Sequence, residues 1–467
     1  MTEYSSITEK IRKHITHKLG PECVVSDPDM LEEFNRDASD LTYNPEMVVK
    51  VRSSKQVQEL LHLANAYRFP VTPRGAGTGL AGGCLPACGG VILSLEEMNR
   101  IRILDTENFI AEVEPGVITK DLRDSAKDQG LFYPPDPASL DESTIGGNAA
   151  TNAGGPACVK YGTTKNYILG LEAVLANGQM IRTGVKTRKG VVGYDLTHLL
   201  VGSEGTLGVI TGLTLKLIPH PSAVTGVTAV FKSLQTAMQT VTQIMVNGHL
   251  PSAIEFMDHK CLAIVGDLLP FAVPGEKASL LIIETDGDVQ QIENEIEIIG
   301  RLCTEAGAAH LLPAPDATER ERIWDVRRQV SRRIQDNAKL YVPEDVAVPI
   351  NRIAELVDAL PEFEEKYGLE IYTFGHAGDG NIHISLSIQN LENIERVEKC
   401  VEAIYTLVLK MNGTISGEHG IGMAKKKFLS MELSAESIRL QQGIKKLFDP
   451  NLILNPSKIF PDESLFI

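Results

Sequence analysis

No stretch of this 467-residue chain approaches the ~20 apolar residues that cross a bilayer, so membrane insertion is not expected. The opening residues, Met1-Thr2-Glu3-Tyr4, are polar and charged and lack the apolar core of a secretory signal. The seven cysteines are odd in number and mostly scattered, the pattern of reduced thiols in a cytoplasmic protein. Cys84 and Cys88 form one C-x3-C pair with no second pair nearby, which argues against an iron–sulfur cluster. Positive charge is also short: 45 Lys and Arg face 61 Asp and Glu, a net charge of −16. Nucleic acid and anionic lipid are therefore poor partners. Internal repeats, low-complexity linkers and coiled-coil heptads are absent.

What is present belongs to a folded globular protein, 43% hydrophobic and 23% charged. The length exceeds what one core supports, so two or three domains are expected. Residues 7–20 and 54–68 read as amphipathic helices, the second through Val57, Leu60, Leu61 and Ala64. Val71 to Pro73 and Val91 to Leu95 read as buried strands. Between them lies Arg74-Gly75-Ala76-Gly77-Thr78-Gly79-Leu80-Ala81-Gly82-Gly83. It contains a formal G-x-G-x-x-G match, Gly77 to Gly82, with Glu96 and Glu97 at about the acidic offset of a dinucleotide fingerprint. That fingerprint must open into a helix, and the following Gly-Gly-Cys-Leu-Pro cannot propagate one. No G-K-[ST] ending makes it a Walker loop. It reads instead as a nest of backbone N–H groups suited to phosphate.

Two more glycine loops follow: Thr144-Ile145-Gly146-Gly147-Asn148 running on to Asn152-Ala153-Gly154-Gly155, and Gly202-Ser203-Glu204-Gly205-Thr206-Leu207-Gly208 before a strand-like Val209 to Leu217. Glycine here lets backbone approach a flat or charged ligand; three unrelated surface turns would read the same way. Beyond Pro219-His220-Pro221 the pattern becomes an α+β layer of antiparallel strands and helices. Strands are expected over Thr225 to Phe231 and Ser279 to Glu284, helices over Leu234 to Val246 and Val289 to Ala306. A second such copy follows, with helices over Asn351 to Tyr367 and Leu391 to Leu409.

Inside that copy is Gly375-His376-Ala377-Gly378-Asp379-Gly380-Asn381-Ile382-His383. About 35 residues on comes Ser416-Gly417-Glu418-His419-Gly420-Ile421-Gly422. Asp-Gly favours a two-residue hairpin turn, which would set His376 opposite His383. Cross-strand partners share a face with Cβ atoms ~5 Å apart, so two imidazoles could meet one divalent metal, with Glu418 completing the site. The same residues also suit a turn with no chemistry.

These glycine loops, the run Tyr194-Asp195-Leu196-Thr197-His198-Leu199-Leu200-Val201 leading into Gly202, the G-H-x-G-D-G-N-x-H hairpin, S-G-E-H-G-I-G and the ending Asn455-Pro456-Ser457-Lys458-Ile459-Phe460 occur in this order in one family. The chain resembles, over nearly its whole length, the FAD-linked 2-hydroxy-acid dehydrogenases of the vanillyl-alcohol-oxidase fold. That family includes the glycolate oxidase catalytic subunit, D-lactate dehydrogenases and D-2-hydroxyglutarate dehydrogenase. The resemblance implies an α+β protein: a two-part FAD-binding domain over residues 1–222, completed by 425–467, and an α+β cap with an antiparallel sheet over 223–424.

It further implies that Pro73, Arg74, Gly75, Ala76, Gly77, Thr78, Gly79, Ser139, Thr144, Gly147, Asn148, Ala153, Gly154, Glu204 and Ile210 line FAD, with Asn455 and Lys458 approaching the ring. The FAD diphosphate is expected against the backbone of Arg74 to Gly79 and Gly146 to Asn148. The first glycine loop has no histidine, so the flavin is expected to be non-covalent. By the same resemblance His376, His383 and Glu418 hold one divalent metal (Zn, Fe or Mn). His419 is the general base and Arg327 the anchor for the substrate carboxylate. Read alone, Arg327 would be an exposed charge in a run with Arg328, Arg332 and Arg333.

Members that use dicarboxylates carry a lysine where this chain has Pro343-Glu344. A second substrate carboxylate would meet Glu344, a repulsive element. The implied reaction is oxidation of a small 2-hydroxy acid, D-lactate favoured, with glycolate or D-2-hydroxyglutarate as alternatives. Hydride goes to flavin N5 and electrons pass to a partner, an electron-transferring flavoprotein or an iron–sulfur protein, or to a quinone. A non-catalytic FAD-carrying subunit and a metal-dependent hydrolase are the rival readings.

Overall fold

Helical spacing of apolar residues sets the first elements. Glu9–Leu19 starts at Thr8, whose side chain accepts the N–H of Ile11, and buries Ile11, Ile15 and Leu19. Ser54–Tyr67 starts at Ser53, which caps Gln56, and buries Val57, Leu60, Leu61 and Ala64. Both helices share one core with Met47, Val49, Val71, Val91 and Leu93. The computed structural model describes residues 4–461 apart from residues 26, 315 and 390–393.

The chain forms two compact units. The first is Met1–Ala153 with Thr163–His220 and His419–Ile467, and the second is Gly154–Gly162 with Pro221–Glu418. The first unit holds a four-stranded sheet in the order Val24–Val25, Met47–Lys50, Val91–Ser94, Val71–Arg74, its last two pairings parallel. Strand Val71–Arg74 delivers the first glycine loop, which runs on without a helix. A five-stranded antiparallel sheet lies in the order Ile101–Asp105, Ile110–Val113, Val209–Lys216, Ile168–Val174, Met180–Gly184. The second expected glycine loop is in fact partly helical. Ile145–Thr151 forms a short helix because Thr144 caps it, accepting the Gly147 N–H at 3.2 Å.

The tail returns to this unit. The Val71 N–H donates to Ile453 O and the Asn455 N–H to Val71 O, both at 2.8 Å. Lys445 is 6% exposed. Its ammonium donates to Thr206 O, Asp449 Oδ2 and Leu454 O at 2.8, 2.6 and 2.7 Å. All three of its donors are thus met, which a buried ammonium requires.

The second unit is built on seven strands: β1 Ala223–Phe231, β2 Ala253–Met257, β3 Ser279–Gly287, β4 His310–Ala314, β5 Leu340–Ala347, β6 Glu370–His376 and β7 Asn381–Ile388. They make one antiparallel sheet in the order β4-β1-β3-β2-β6-β7-β5. The two expected α+β copies are therefore joined edge to edge by β2–β6 pairing, through the unexpected strand β2. One face packs against the helix Ala317–Asn337, whose Ile323, Val326, Val330 and Ile334 share a core with Met257, Leu280, Ile282 and Phe374. Helices Leu234–Val246, Val289–Glu305 and Ile353–Tyr367 follow the expected positions closely. The last helix spans Ile394–Lys410, and Leu391 lies outside the described residues. Among the described residues no helix is long and apolar enough to cross a membrane.

Candidate active site

The hairpin register differs from expectation. His376 lies opposite Asn381, and His383 lies opposite Phe374. The loop is four residues, Ala377 to Gly380, because the N–H groups of Asp379 and Gly380 turn back to His376 O and that of Gly378 is drawn to Ile254 O. A shift of two keeps both histidines on one face, as period-two alternation requires. They meet diagonally, with ring centroids 5.2 Å apart.

Glu418 completes the group. Its Oε1 lies 3.4 Å from His376 Nε2 and 3.5 Å from His383 Nε2. Gly154, expected at the flavin, belongs to this unit and packs on Glu418; a Cβ there would stand 2.6 Å from its carboxylate. The division between units falls at the Glu418–His419 bond, so the covalent chain keeps His419 one residue from the group.

The residue that organises the site was not foreseen. Glu255, opposite His376 on β2, is fully buried. It accepts a short hydrogen bond from His376 Nδ1, and its Oε2 accepts Arg327 Nε at 3.0 Å and Nη2 at 2.8 Å. Arg327 also stacks over Phe374 at 4.4 Å, and Phe374 lies 5.3 Å from His383. The side chain of Arg327 is 11% exposed, against 51% for Arg328 and 83% for Arg332. The helix therefore aims Arg327, not its neighbours, into the sheet face. Burial would raise the Glu255 carboxyl, but His376 and Arg327 pull it down to about 2. Burial would likewise lower His376, and the Glu255 carboxylate overrides it, holding the imidazole well above its ordinary value.

The donor set suits a divalent ion. Two ligands ~2.1 Å from a tetrahedral ion stand ~3.4 Å apart, close to the two histidine–glutamate separations given above. Glu255 on Nδ1 supplies the carboxylate that commonly orients a metal-bound histidine and leaves Nε2 to the metal. Asp345, a second unforeseen residue, has ligand atoms within 4.8 Å of those of His383 and Glu418. Its oxygens are already committed. Oδ1 takes Asn381 Nδ2 at 2.6 Å, and Oδ2 takes the N–H groups of Gly417 and Glu418 at 2.8 Å each. These bonds tie Asp345 to the backbone that carries Glu418.

Glu344 is not where its expected role needs it. Asp345 faces His383, so Glu344 points through the opposite face of β5, where it accepts the hydroxyl of buried Tyr405. It cannot repel a substrate at the histidines. Tyr341, Pro343 and Asp345 occupy the site face, and Tyr341 Oη lies 3.1 Å from Ser385 Oγ.

In the first unit the three glycine segments converge, so they are not separate surface turns. A Cβ on Gly75 would clash with Thr144 Oγ1. The Glu204 N–H donates to Ala150 O at 2.8 Å. Asn455 Nδ2 donates to Gly83 O at 2.8 Å and Glu204 O at 2.7 Å.

Among the described residues none accepts a hydrogen bond from the N–H groups of Gly75 to Gly79, and none pairs with the buried Asn455 Oδ1. Unspent donors in a glycine loop fit a diphosphate, and the half-buried loop from Gly75 to Thr78, with exposed Gly79, carries them at the end of strand Val71–Arg74. The N–H groups of Gly146, Gly147 and Asn148 are committed to Pro115 O, Thr144 Oγ1 and Thr144 O. They have no donor left for phosphate. Asn148 is buried and donates to Thr119 Oγ1 at 2.7 Å. Ala153 O accepts the Thr164 hydroxyl, and Ser139 O accepts the Ser143 N–H. Ile210 is buried in its strand. Lys458 donates to Leu85 O at 2.7 Å, and burial depresses its ammonium to about 8. Pro73 packs where a Cβ on Gly205 would come within 3.3 Å.

Two family models match the chain: FAD binding domain over residues 45–184, and FAD linked oxidases, C-terminal domain, over residues 220–459. The chain is 38% identical to glycolate oxidase subunit GlcD of Bacillus subtilis (strain 168), covering 98% of each. It is 37% identical to D-lactate dehydrogenase of Anaerostipes hadrus, again covering 98% of each. Among solved structures it is similar to alkyldihydroxyacetonephosphate synthase, with TM-score 0.78, 20% identity and coverage of 98% and 87%. It is also similar to p-cresol methylhydroxylase with substrate bound, with TM-score 0.77, 18% identity and 97% of each chain covered.

Proposed function

We propose that this chain, which belongs to the FAD-linked oxidase family and has the two-part FAD-binding fold of the vanillyl-alcohol-oxidase type with an α+β cap, oxidises a small 2-hydroxy monocarboxylate, D-lactate favoured, to the 2-oxo acid. It is an FAD-dependent oxidoreductase of the glycolate oxidase and D-lactate dehydrogenase group. One observation carries the finer reading: Glu255 binds both Arg327 and His376, so a guanidinium and the His376, His383, Glu418 donors sit around one carboxylate. A 2-hydroxy acid presents the matching pair, a carboxylate and an adjacent hydroxyl.

Arg327 gives its Nε edge to Glu255, and its Nη1/Nη2 edge takes the substrate carboxylate. His376, His383 and Glu418 would hold the divalent metal, Zn, Fe or Mn, which when bound supplies Lewis acidity toward the 2-hydroxyl. His419 takes the hydroxyl proton on a ring nitrogen. FAD, if bound, would supply the two-electron acceptor for the hydride that leaves Cα. The Gly75 to Gly79 backbone would hold its diphosphate through unspent N–H donors. The flavin is non-covalent: Cys84 accepts from Arg74 at 3.3 Å, and burial pushes its thiol up to about 11, so it is a poor nucleophile.

The monocarboxylate preference rests on position 343. A proline there faces the site in place of a cation, and this disfavours D-2-hydroxyglutarate. Electrons then pass to a partner protein, an electron-transferring flavoprotein in the favoured version. A glycolate dehydrogenase passing electrons to an iron–sulfur subunit or quinone is the alternative, and the likeness to a glycolate oxidase subunit of Bacillus subtilis is consistent with glycolate as its substrate. The seven cysteines, none of them in a disulfide, accord with a reducing, cytoplasmic setting.

Product analysis with an artificial acceptor tests this. Pyruvate from D-lactate at a higher kcat/KM than glyoxylate from glycolate supports the reading. Turnover of D-2-hydroxyglutarate alone would overturn it.

A further inference from the structure

The segment Ser416-Gly417-Glu418-His419-Gly420-Ile421-Gly422 is where the chain passes from one unit to the other, and two carboxylates, the buried Asp345 and the half-buried Glu204, grip it on either side of His419. On the second-unit side Asp345 Oδ2 takes the N–H groups of Gly417 and Glu418, each at 2.8 Å. On the first-unit side Glu204 Oε1 takes the N–H of Ile421 and Oε2 that of Gly422, each at 2.8 Å. Each carboxylate thus binds two successive amides, and only His419 and Gly420 lie between the gripped pairs.

Both anchors are themselves held. Asp345 is fully buried and bonded to Asn381. Glu204 adopts a left-handed backbone, φ 53°, its N–H given to Ala150 O and its own O accepting Asn455 Nδ2. A left-handed non-glycine backbone costs about 1–3 kcal/mol and persists only where surrounding contacts over-determine it. The packing around the grip leaves little room for side chains. A Cβ on Gly417 would stand 2.0 Å from Asn381 Nδ2 and 2.9 Å from Asp345 Oδ1, and one on Gly420 would stand 3.0 Å from Glu204 Oε1.

We propose that Glu204 and Asp345 are positioning residues that fix the backbone on both sides of His419, so that its imidazole is held in register for proton transfer. Glu204 therefore acts through its side chain on the base-bearing loop. This rests on the reading of His419 as the base. A positioned general base contributes ~10²–10⁴-fold, so loosening its backbone should remove part of that factor and leave substrate binding through Arg327 in place.

The test uses the FAD-loaded chain and the variants Glu204→Gln, Asp345→Asn, His419→Ala and the Glu204→Gln/His419→Ala pair. Glutamine keeps the shape but turns an NH2 toward one of the two amides. Glu204→Asp, which keeps the charge and shortens the reach, replaces it if Glu204→Gln does not fold. Two measurements are made: amide hydrogen exchange across residues 416–423, and the rate of flavin reduction at saturating D-lactate.

Expected are exchange at least tenfold faster at Ile421 and Gly422 in Glu204→Gln, full FAD content, and a reduction rate down at least tenfold with KM little changed. In the His419→Ala background the second substitution should cost nothing further. Unchanged exchange in that stretch overturns the clamp. So do losses that multiply with His419→Ala, or weakened FAD binding that accounts for the whole effect. A wild-type rate in His419→Ala alone would refute the base assignment, and the exchange data would still decide the clamp.

Discussion

Replacing Glu255 by glutamine should strip the metal from the site without disturbing the flavin. The carboxylate accepts His376 Nδ1 on one oxygen and two Arg327 donors on the other, at 3.0 and 2.8 Å. Glutamine offers one acceptor oxygen and one NH2. If the NH2 faces Arg327, donors oppose donors where the Glu255 side chain is 1% exposed, and a broken buried pair costs ~3–5 kcal/mol. The cheaper arrangement turns the NH2 to His376. That imidazole must then accept on Nδ1 and carry its proton on Nε2, the atom 3.4 Å from Glu418 Oε1. A protonated Nε2 cannot bind metal. Losing such an orienting partner typically costs ~10–100-fold in metal affinity, or ~1.4–2.8 kcal/mol. Chelator competition followed by metal analysis, with FAD absorbance per chain alongside, measures both. A folded Glu255→Gln variant with wild-type metal affinity would refute the carboxylate–histidine arrangement.

His383→Ala should lose metal and turnover while keeping FAD, and full metal content would show the ligand set to be wrong. Arg327→Ala removes a charge-assisted anchor worth ~2–5 kcal/mol; kcat/KM for D-lactate should fall at least 30-fold, and an unchanged value ends its role as anchor. Lys445→Met leaves Asp449 buried without its cation. It should cost ~3–5 kcal/mol of stability, read as a lower urea midpoint, and an unshifted midpoint contradicts the clasp. Acid precipitation should release yellow flavin to the supernatant, and flavin retained in the pellet would mean a covalent link.

Much of this was legible in the sequence because it was written in local patterns. Helical spacing located Ser54–Tyr67 with all four of its core residues, and the poor helix formers after Gly82 excluded a dinucleotide fold. What was illegible depended on pairing between distant segments. The Asp379-Gly380 signal suggested a two-residue turn, yet the pull of Ile254 O on the loop lengthened it and moved His383 opposite Phe374. Glu255 left one signal, a lone acid inside an otherwise apolar strand, and Asp345 sits beside Glu344 in its strand, but the partners of both lie far along the chain. Glu344 was misread because one residue in a strand decides the face, and only the register against His383 fixes that. Thr144 and Gly147 looked like a loop because glycine weakens a helix, and the cap at Thr144 outweighs it over about two turns.

The most direct test of the central claim is anaerobic mixing of the purified, flavin-loaded protein with D- and L-lactate, glycolate and D-2-hydroxyglutarate, following the visible flavin absorbance. The account predicts rapid bleaching by D-lactate, slower bleaching by glycolate, and none by L-lactate. A flavin that no 2-hydroxy acid reduces would contradict it.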